Sequence, residues 1–228
     1  MPTATCPGEA SNQEETMSVI TISRQLGSHG GRVARALARK LDWKFADKST
    51  INGVIEQYGL VHLDNIYGDH APTFWDLYRE DSVWTIEWMD KTIGAIAAQG
   101  DVVILGRGAF VVLGGYVDAL NVLITAPLDI RAHRIALRDG ITDEAAVDKI
   151  NADDKTRRRF TKRIYSADWA DPANFDLVLD TGELSDEAVV DRIIAAHNEK
   201  LANKGDGPSV ADIAVDSLLA DSIKGVLK

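Results

Sequence analysis

The sequence predicts an α/β fold in which a parallel β-sheet is flanked by helices. Apolar, β-branched segments without polar alternation recur along the chain, and an amphipathic helix follows most of them. This alternation is typical of strands that are buried on both faces of a sheet. A glycine-rich turn at residues 27–31 joins the first strand to its helix. Ligands of such sheets bind beyond the carboxyl ends of the strands, so these ends are the expected location of a site.

The length and the charge of the chain limit the number of domains it can form and the kinds of partner it can bind. The 228 residues, 45% of them hydrophobic, are enough for one domain with a sizeable core. The net charge of −10 disfavours a nucleic acid polymer as a partner, because such binding needs a basic surface. A small anionic ligand remains compatible with this charge if basic residues gather locally.

The N-terminal region and the cysteine content indicate a cytoplasmic protein. Cys6 is the single cysteine, which rules out an intramolecular disulfide and fits a reducing compartment. No apolar run approaches the ~20 residues of a membrane helix, so no membrane partner is expected. Residues 1–17 are polar and acidic, lack the features of a signal peptide and are predicted to form a disordered leader.

The first half of the chain predicts two strand–helix pairs and one long helix. SVITIS is a buried strand, and GRVARALARKL places apolar residues at helical spacing with basic residues between them. WKFAD is a short strand that ends at Asp47, and KSTINGVIEQYG is a helix weakened by Gly53. NIYGDHAP is a loop. The segment from Thr73 to Gly100 is one long helix or a helix pair, and Gly100 caps it.

The second half predicts three further strands and their helices. DVVILG and ALNVLITA are continuous apolar strands, and Pro127 ends the second. The next helix closes at Gly140, and the one after it begins at Thr142 with acidic residues in its first turn. FDLVLDTG is the last strand, and an amphipathic helix follows it. The domain is thus predicted over residues 18–203. A linker and a helix are predicted over 204–228, and this helix packs on this chain or on a partner, which allows a homo-oligomer.

The glycine turn after the first strand is predicted to bind phosphate. Its glycines let backbone N–H groups converge, and the following helix adds its N-terminal dipole, which together make a concave anion site. The turn lacks the lysine of the pattern G-x-x-x-x-G-K-[ST], so arginine is expected to neutralise the phosphates. An ordinary tight turn that needs positive φ is the alternative. The candidate phosphate-binding residues are Arg24, Gly27, Ser28, His29, Gly30, Gly31 and Arg32.

Two further strand ends carry candidate substrate-binding residues. Asp47 follows the second strand, and Arg107 lies between Gly106 and Gly108 after the third. A guanidinium at this edge can hold a phosphate through two parallel hydrogen bonds, and flanking glycines keep bulk away from it. The alternative for Arg107 is a surface arginine in a turn.

An arginine run in an acidic chain is the third candidate feature. The segment DDKTRRRFTKR contains Arg157, Arg158, Arg159 and Arg163 on one predicted helix. The three consecutive arginines cannot all face one way, so one or two can reach a ligand, and Arg159 is expected to point elsewhere. A solvated helix face is the alternative, and it applies equally to the basic stripe in IRAHRIALR. The five histidines make no metal-ligand spacing, so no metal-binding residue is predicted.

Four blocks of the sequence together resemble a known family. They are ITISRQLGSHGGRVARALARKL, FADKSTI, DVVILGRGAF and the segment from Arg157 to Ile193. In order and spacing they resemble the cytidylate kinase-like proteins, a branch of the nucleoside monophosphate kinases, over residues 18–200. The resemblance implies a P-loop NTPase-type sheet with helical acceptor-binding and lid segments. It also implies ATP as donor, Mg²⁺ as its ion, and a nucleoside monophosphate, CMP or similar, as acceptor.

The resemblance also implies roles for the candidate residues. It assigns residues 27–32 to the ATP phosphates, Asp47 and Arg107 to the acceptor, and the arginines within 157–163 to a catalytic lid. Positioning and charge neutralisation carry such phosphoryl transfer. The rival hypothesis is a non-catalytic nucleotide-binding module with a degenerate loop. A dinucleotide-binding protein is a third hypothesis, disfavoured because the turn does not read G-x-G-x-x-G.

Overall fold

The computed structural model describes residues 17–57 and 80–227, which form five strands and eight α-helices. The strands are β1 (Val19–Arg24), β2 (Lys44–Ala46), β3 (Val102–Leu105), β4 (Ala119–Thr125) and β5 (Leu177–Asp180). The helices are α1 (Gly30–Leu41), α2 (Lys48–Gln57), α3 (Glu80–Ala97), α4 (Ala109–Val112), α5 (Leu128–Asp139), α6 (Asp143–Tyr165), α7 (Asp186–Ala202) and α8 (Ser217–Val226). Short 3₁₀ turns cover Pro172–Asn174 and Val210–Asp212.

The five strands form one parallel sheet in the order β2-β3-β1-β4-β5, which confirms the predicted fold class. β1 lies in the centre, between β3 and β4. Ile22 of β1 is in register with Leu105 of β3, and the N–H of Gly106 donates to the oxygen of Ile22 at 3.0 Å. The turns that follow β1 and β3 therefore lie side by side at the carboxyl edge of the sheet.

Both faces of the sheet are buried, as continuous apolar strands require. Val19, Val102 and Ile104 pack in one layer with residues of α2, α3, α4 and α8. Ile20 and Val103 point to the opposite layer, which α1 and α7 cover. Because successive residues of a strand face opposite sides, each apolar strand contributes to both layers.

Local signals set the helix ends around β4 and α5 as predicted. Pro127 precedes α5, Gly140 ends it with φ +67, and the Thr142 hydroxyl accepts from the N–H of Ala145 at 3.3 Å. Residues 1–16 of the predicted leader, the predicted loop NIYGDHAP and the start of the long predicted helix lie outside the described residues. Within the described ranges, none of the helices combines the length and the apolar character needed to cross a membrane.

The C-terminal segment packs on this chain, which is one of the two predicted alternatives. Leu219 and Ile223 of α8 are buried in the layer formed by α2 and α3. The segment before α8 is held by the buried carboxylate of Asp118. Its oxygens accept from the hydroxyl of Ser209, from the N–H of Val210 at 2.9 Å and from Nζ of Lys204 at 3.0 Å. This carboxylate therefore joins the C-terminal segment to the start of β4.

We expect Asp118→Ala to destabilise the fold by about 2 kcal/mol at pH 7, because buried donors lose their acceptor. Burial alone would raise the pKa of Asp118, but the hydrogen bonds from Ser209, Val210 and Lys204 outweigh it and lower the pKa. A lowered pKa means that the stabilisation is present above the ordinary carboxyl pKa and is lost as the pH falls below it.

Urea unfolding of wild type and variant at pH 7 and at acidic pH measures this contribution. The difference between the two proteins should shrink in acid. Asp206→Ala is the matched control, since Asp206 lies in the same segment and is exposed. A difference that grows in acid, or an equal loss in the control, would contradict the assignment.

Candidate functional site

The turn between β1 and α1 depends on close packing at its glycines. Gly27 (φ +85) and His29 (φ +60) adopt the left-handed conformation, and His29 is the N-cap of α1. A Cβ on Gly30 would lie 2.3 Å from the Cβ of Arg24, so glycine is needed for α1 to start this close to β1. The first N–H groups of α1 have no partners within the helix, and its dipole adds positive potential there. The turn thus has the features of an anion site.

Arg24 lies in a cluster of like charges at the end of β1. Burial and the positive charges of Arg157 and Arg107 lower the pKa of Arg24 to about 9, although the carboxylates of Asp153 and Asp47 act in the opposite direction. The guanidinium still carries its charge at neutral pH. Burial is the largest cause of the lowered pKa, and the like charges of Arg157 and Arg107 add to it, so a bound anion would stabilise the charged guanidinium.

A cavity of about 720 Å³ opens at the carboxyl ends of β1 and β3. Its walls are the end of β1, the turn after β3 and the helix α6. Asp153 is the one acid among the described residues that line it. Its cationic residues are Arg24, Lys48, Arg107, Arg157, Arg159, Lys162 and Arg163. The acidic chain therefore gathers positive charge locally, as a small anionic ligand requires.

Arg107 is held in the cavity wall by its backbone and by Asn52. It has φ +58, its side chain is buried, and its Nη2 donates to Oδ1 of Asn52 at 2.6 Å. A Cβ on the preceding Gly106 would lie 2.1 Å from Nη1 of Arg24. The glycine therefore lets the guanidinium of Arg24 approach the turn that carries Arg107.

The helix α6 separates the arginines of the predicted lid. Arg157 lines the cavity, and its Nε lies 2.6 Å from Oδ2 of Asp153. Arg158 points elsewhere. Its side chain is 56% exposed, and its Nε lies 3.4 Å from Oδ1 of Asp168. Arg163 also lines the cavity. So does Arg159, which corrects the expectation that it points elsewhere. Two of the three predicted lid residues are thus brought to the site, and their catalytic roles stay predictions.

Three predicted phosphate-binding side chains are engaged outside the cavity wall. Ser28 is fully buried, and its hydroxyl donates to the oxygen of Gln25 at 2.9 Å. Nδ1 of His29 and Nη2 of Arg32 lie 3.1 and 3.0 Å from the carboxylate of Asp186, at the start of α7. Of the two arginines predicted to neutralise phosphate, the structure therefore places Arg24 in the wall of the cavity and Arg32 in an ion pair.

Asp47 forms the N-terminal cap of α2. Its Oδ1 accepts from the N–H of Ser49 at 2.9 Å, and its Oδ2 accepts from Nη2 of Arg35 at 3.1 Å. Asp47 also lines a second cavity of about 630 Å³, which shares Arg24 and Lys48 with the first. Its predicted contact with the acceptor stays a prediction.

Several residues that line the main cavity were not predicted from the sequence. Lys48 and Asp153 add charge, and Phe110, Phe160 and Trp169 form an apolar part of the wall. Lys48 had a usable signal, because it follows the end of a predicted strand directly. The aromatic side chains come from separate segments, so their meeting could not be inferred from spacing.

The described residues of the site suit a polyphosphate better than a metal ion held by protein side chains. The N-terminus of α1 and the arginines that line the cavity suit a polyanion. Residues 17–57 and 80–227 contain no group of three or more His, Cys, Asp or Glu side chains placed to hold a metal ion. The phosphate oxygens and water would therefore be the main ligands of an Mg²⁺ ion that accompanies ATP, with Asp153 as the acid available in the cavity.

Solved structures share this fold. An uncharacterized protein from Eubacterium ventriosum superposes with a TM-score of 0.63 at 20% identity, over 79% of this chain and 98% of that chain. Shikimate kinase from Bacteroides thetaiotaomicron superposes with a TM-score of 0.50 at 17% identity, over 79% of this chain and 98% of that chain. At these identities the likeness concerns the fold alone.

Sequence relatives are more informative than the solved structures. The cytidylate kinase from Ignicoccus hospitalis is 32% identical over 182 residues, which are 78% of this chain and 97% of the relative. The cytidylate kinase from Methanopyrus kandleri is 34% identical over 184 residues, 77% of this chain and 85% of the relative. Residues 19–183 match the cytidylate kinase-like family, which confirms the predicted resemblance. The chain therefore belongs to the cytidylate kinase-like family.

Proposed function

We propose that this chain is a nucleotide kinase that transfers the γ-phosphoryl group of ATP to a nucleoside monophosphate, CMP or a close analogue. The observation that carries the proposal is the cavity at the carboxyl ends of β1 and β3, which seven cationic side chains and one acid of the described residues line. Donor and acceptor phosphates repel each other, and a fixed cluster of cations offsets this repulsion. The relatives named cytidylate kinase support CMP as the first acceptor to test.

Donor and acceptor are expected to meet between the glycine turn and Arg107. The amides of the turn and Arg24 would hold the ATP phosphates. Arg107, which is buried and oriented by Asn52, would hold the acceptor phosphate. Arg157 on α6 would reach the transferring group. An oxygen of the acceptor phosphate would form a bond to the γ-phosphorus while the bond from that phosphorus to the β,γ-bridging oxygen breaks, so that the monophosphate becomes a diphosphate and ADP leaves. An Mg²⁺ ion that accompanies ATP would supply further charge neutralisation.

A non-catalytic nucleotide-binding module is the second candidate function, because the turn lacks the usual lysine. ATP turnover with a panel of nucleoside monophosphates separates the two. We expect ADP to form in the presence of one or a few monophosphates, with CMP first. ATP binding without turnover for any member of the panel would favour the module.

We expect Arg107→Ala to weaken acceptor binding by about 1.5–3 kcal/mol while ATP binding changes much less, because charge-assisted contacts to the acceptor phosphate are lost. Calorimetry with each nucleotide separately measures both effects. Arg138→Ala is a suitable control, since Arg138 is exposed and pairs with Asp139 on the far end of α5. If ATP affinity drops and acceptor affinity does not, the acceptor site is placed wrongly.

A further inference from the structure

Three consecutive carbonyls of the glycine turn are held by side chains from α5 and from the residue after β5. The pairs are Leu26 O with Arg131 Nη1 (3.4 Å), Gly27 O with Arg134 Nη1 (3.3 Å) and Ser28 O with Thr181 Oγ1 (2.9 Å). These donors come from positions more than one hundred residues further along the chain. The backbone of the turn is thus oriented by distant side chains as well as by its own glycines.

Thr181 and Arg134 act as one unit in this arrangement. Arg134 donates to Oγ1 of Thr181 at 2.9 Å and to its main-chain oxygen at 2.8 Å. Thr181 is buried, and its Oγ1 lies 2.9 Å from the oxygen of Ser28 and 3.3 Å from that of Thr125. A hydroxyl has one hydrogen to donate, and the shorter distance assigns it to Ser28. We call Arg134 and Thr181 the carbonyl clamp.

The direction of these carbonyls decides whether the turn attracts or repels an anion. In a trans peptide the C=O and the following N–H point in opposite directions, so a carbonyl that is held on one side presents the N–H on the other. Glycine allows a peptide to rotate, and a rotated peptide would turn an oxygen toward the phosphate. At Gly27 the carbonyl clamp acts together with the N–H of Ser28, which donates to the oxygen of Gln25 at 3.2 Å. At Ser28 it holds the oxygen through Thr181, which directs the N–H of His29 to the other side.

We propose that Arg134 and Thr181 are positioning residues that hold the glycine turn in its phosphate-binding orientation. The inference rests on the proposed function, because that function assigns the ATP phosphates to this turn. This proposal also gives Arg134, which belongs to the basic stripe on α5, a role other than direct contact with a ligand or exposure to solvent. The turn lacks a lysine side chain, so the orientation of its amides matters more for phosphate affinity.

Amide hydrogen exchange of the ligand-free protein tests the clamp directly. Thr181→Val removes the hydroxyl at nearly constant volume, and Thr181→Ser restores it. We expect exchange within residues 25–32 to become at least about tenfold faster in Thr181→Val and to return close to wild type in Thr181→Ser. Thr125→Val is the matched control, because its hydroxyl donates to Leu179 O and not to the turn. Exchange in α8 should stay constant in all three variants.

Calorimetry with ATP and with inorganic tripolyphosphate tests the consequence for binding. Thr181→Val should bind both about tenfold more weakly, while Thr181→Ser and Thr125→Val bind like wild type and CMP affinity is unchanged. Unchanged exchange within 25–32 would overturn the inference. Faster exchange with unchanged tripolyphosphate affinity would also overturn it, because the clamp would then be structural only.

Different results would refute the role of the carbonyl clamp and the proposed kinase activity. If the wild type binds ATP without turnover, the proposed kinase activity is refuted. The role of the carbonyl clamp is still supported if the expected changes in amide exchange and in ATP affinity are observed. If the wild type turns over ATP and Thr181→Val binds ATP with unchanged affinity, the role of the carbonyl clamp is refuted and the proposed kinase activity stands. A wild type that binds neither ATP nor tripolyphosphate would overturn both.

Discussion

Arg157→Ala is expected to lower kcat about 10³-fold and to change ATP affinity little, as is known for arginines that act on a transferring phosphoryl group. Arg157 lines the cavity beside Arg24 and is held there by Asp153. A side chain that binds more strongly in the transition state than in the ground state accelerates the step, whereas equal binding in both states does not. Single-turnover kinetics separates the chemical step from nucleotide binding.

Arg158→Ala is the matched control for this prediction. Arg158 is the next residue on the same helix, but it pairs with Asp168 and is largely exposed. An exposed ion pair contributes little to stability, so the control should fold normally and retain its kcat within about threefold. Equal and small effects at both positions would reduce the arginine run to a solvated helix face.

Gly30→Val is expected to reduce ATP affinity by more than about 100-fold, which corresponds to roughly 2.7 kcal/mol. The sequence suggests that a side chain here would block the approach of phosphate to the backbone. The structure adds a more specific cause. A Cβ at Gly30 would lie 2.3 Å from the Cβ and 2.9 Å from the Cγ of Arg24, so both Arg24 and the start of α1 must shift. Both are parts of the candidate phosphate site.

Calorimetry of the folded variant measures this loss, with circular dichroism to verify the fold. Gly225→Val is the control, because a Cβ at this helical glycine of α8 meets no atom within 4 Å. It introduces the same residue into a helix and should leave ATP affinity unchanged. Wild-type ATP affinity in Gly30→Val would mean that the turn is structural and that ATP binds elsewhere.

The sequence by itself determined the fold class, the order of the elements and the family. These features depend on residues that are close together in the chain. Continuous apolar segments become buried parallel strands, Pro127 and Gly140 bound α5, and the Thr142 hydroxyl caps α6 through its own backbone neighbour. The glycine turn was found for the same reason, because its three glycines lie within five residues of one another, although distant side chains also orient its backbone.

The tertiary structure alone decided which side chains meet at the site. Arg24 and Arg32 flank the same turn, yet one lines the cavity and the other pairs with Asp186. Arg157 and Arg158 are adjacent, yet the rotation of α6 sends them to different surroundings. The direction of a long charged side chain depends on the neighbours that compete for it. Those neighbours lie on other elements, so spacing along the chain carries little information about them.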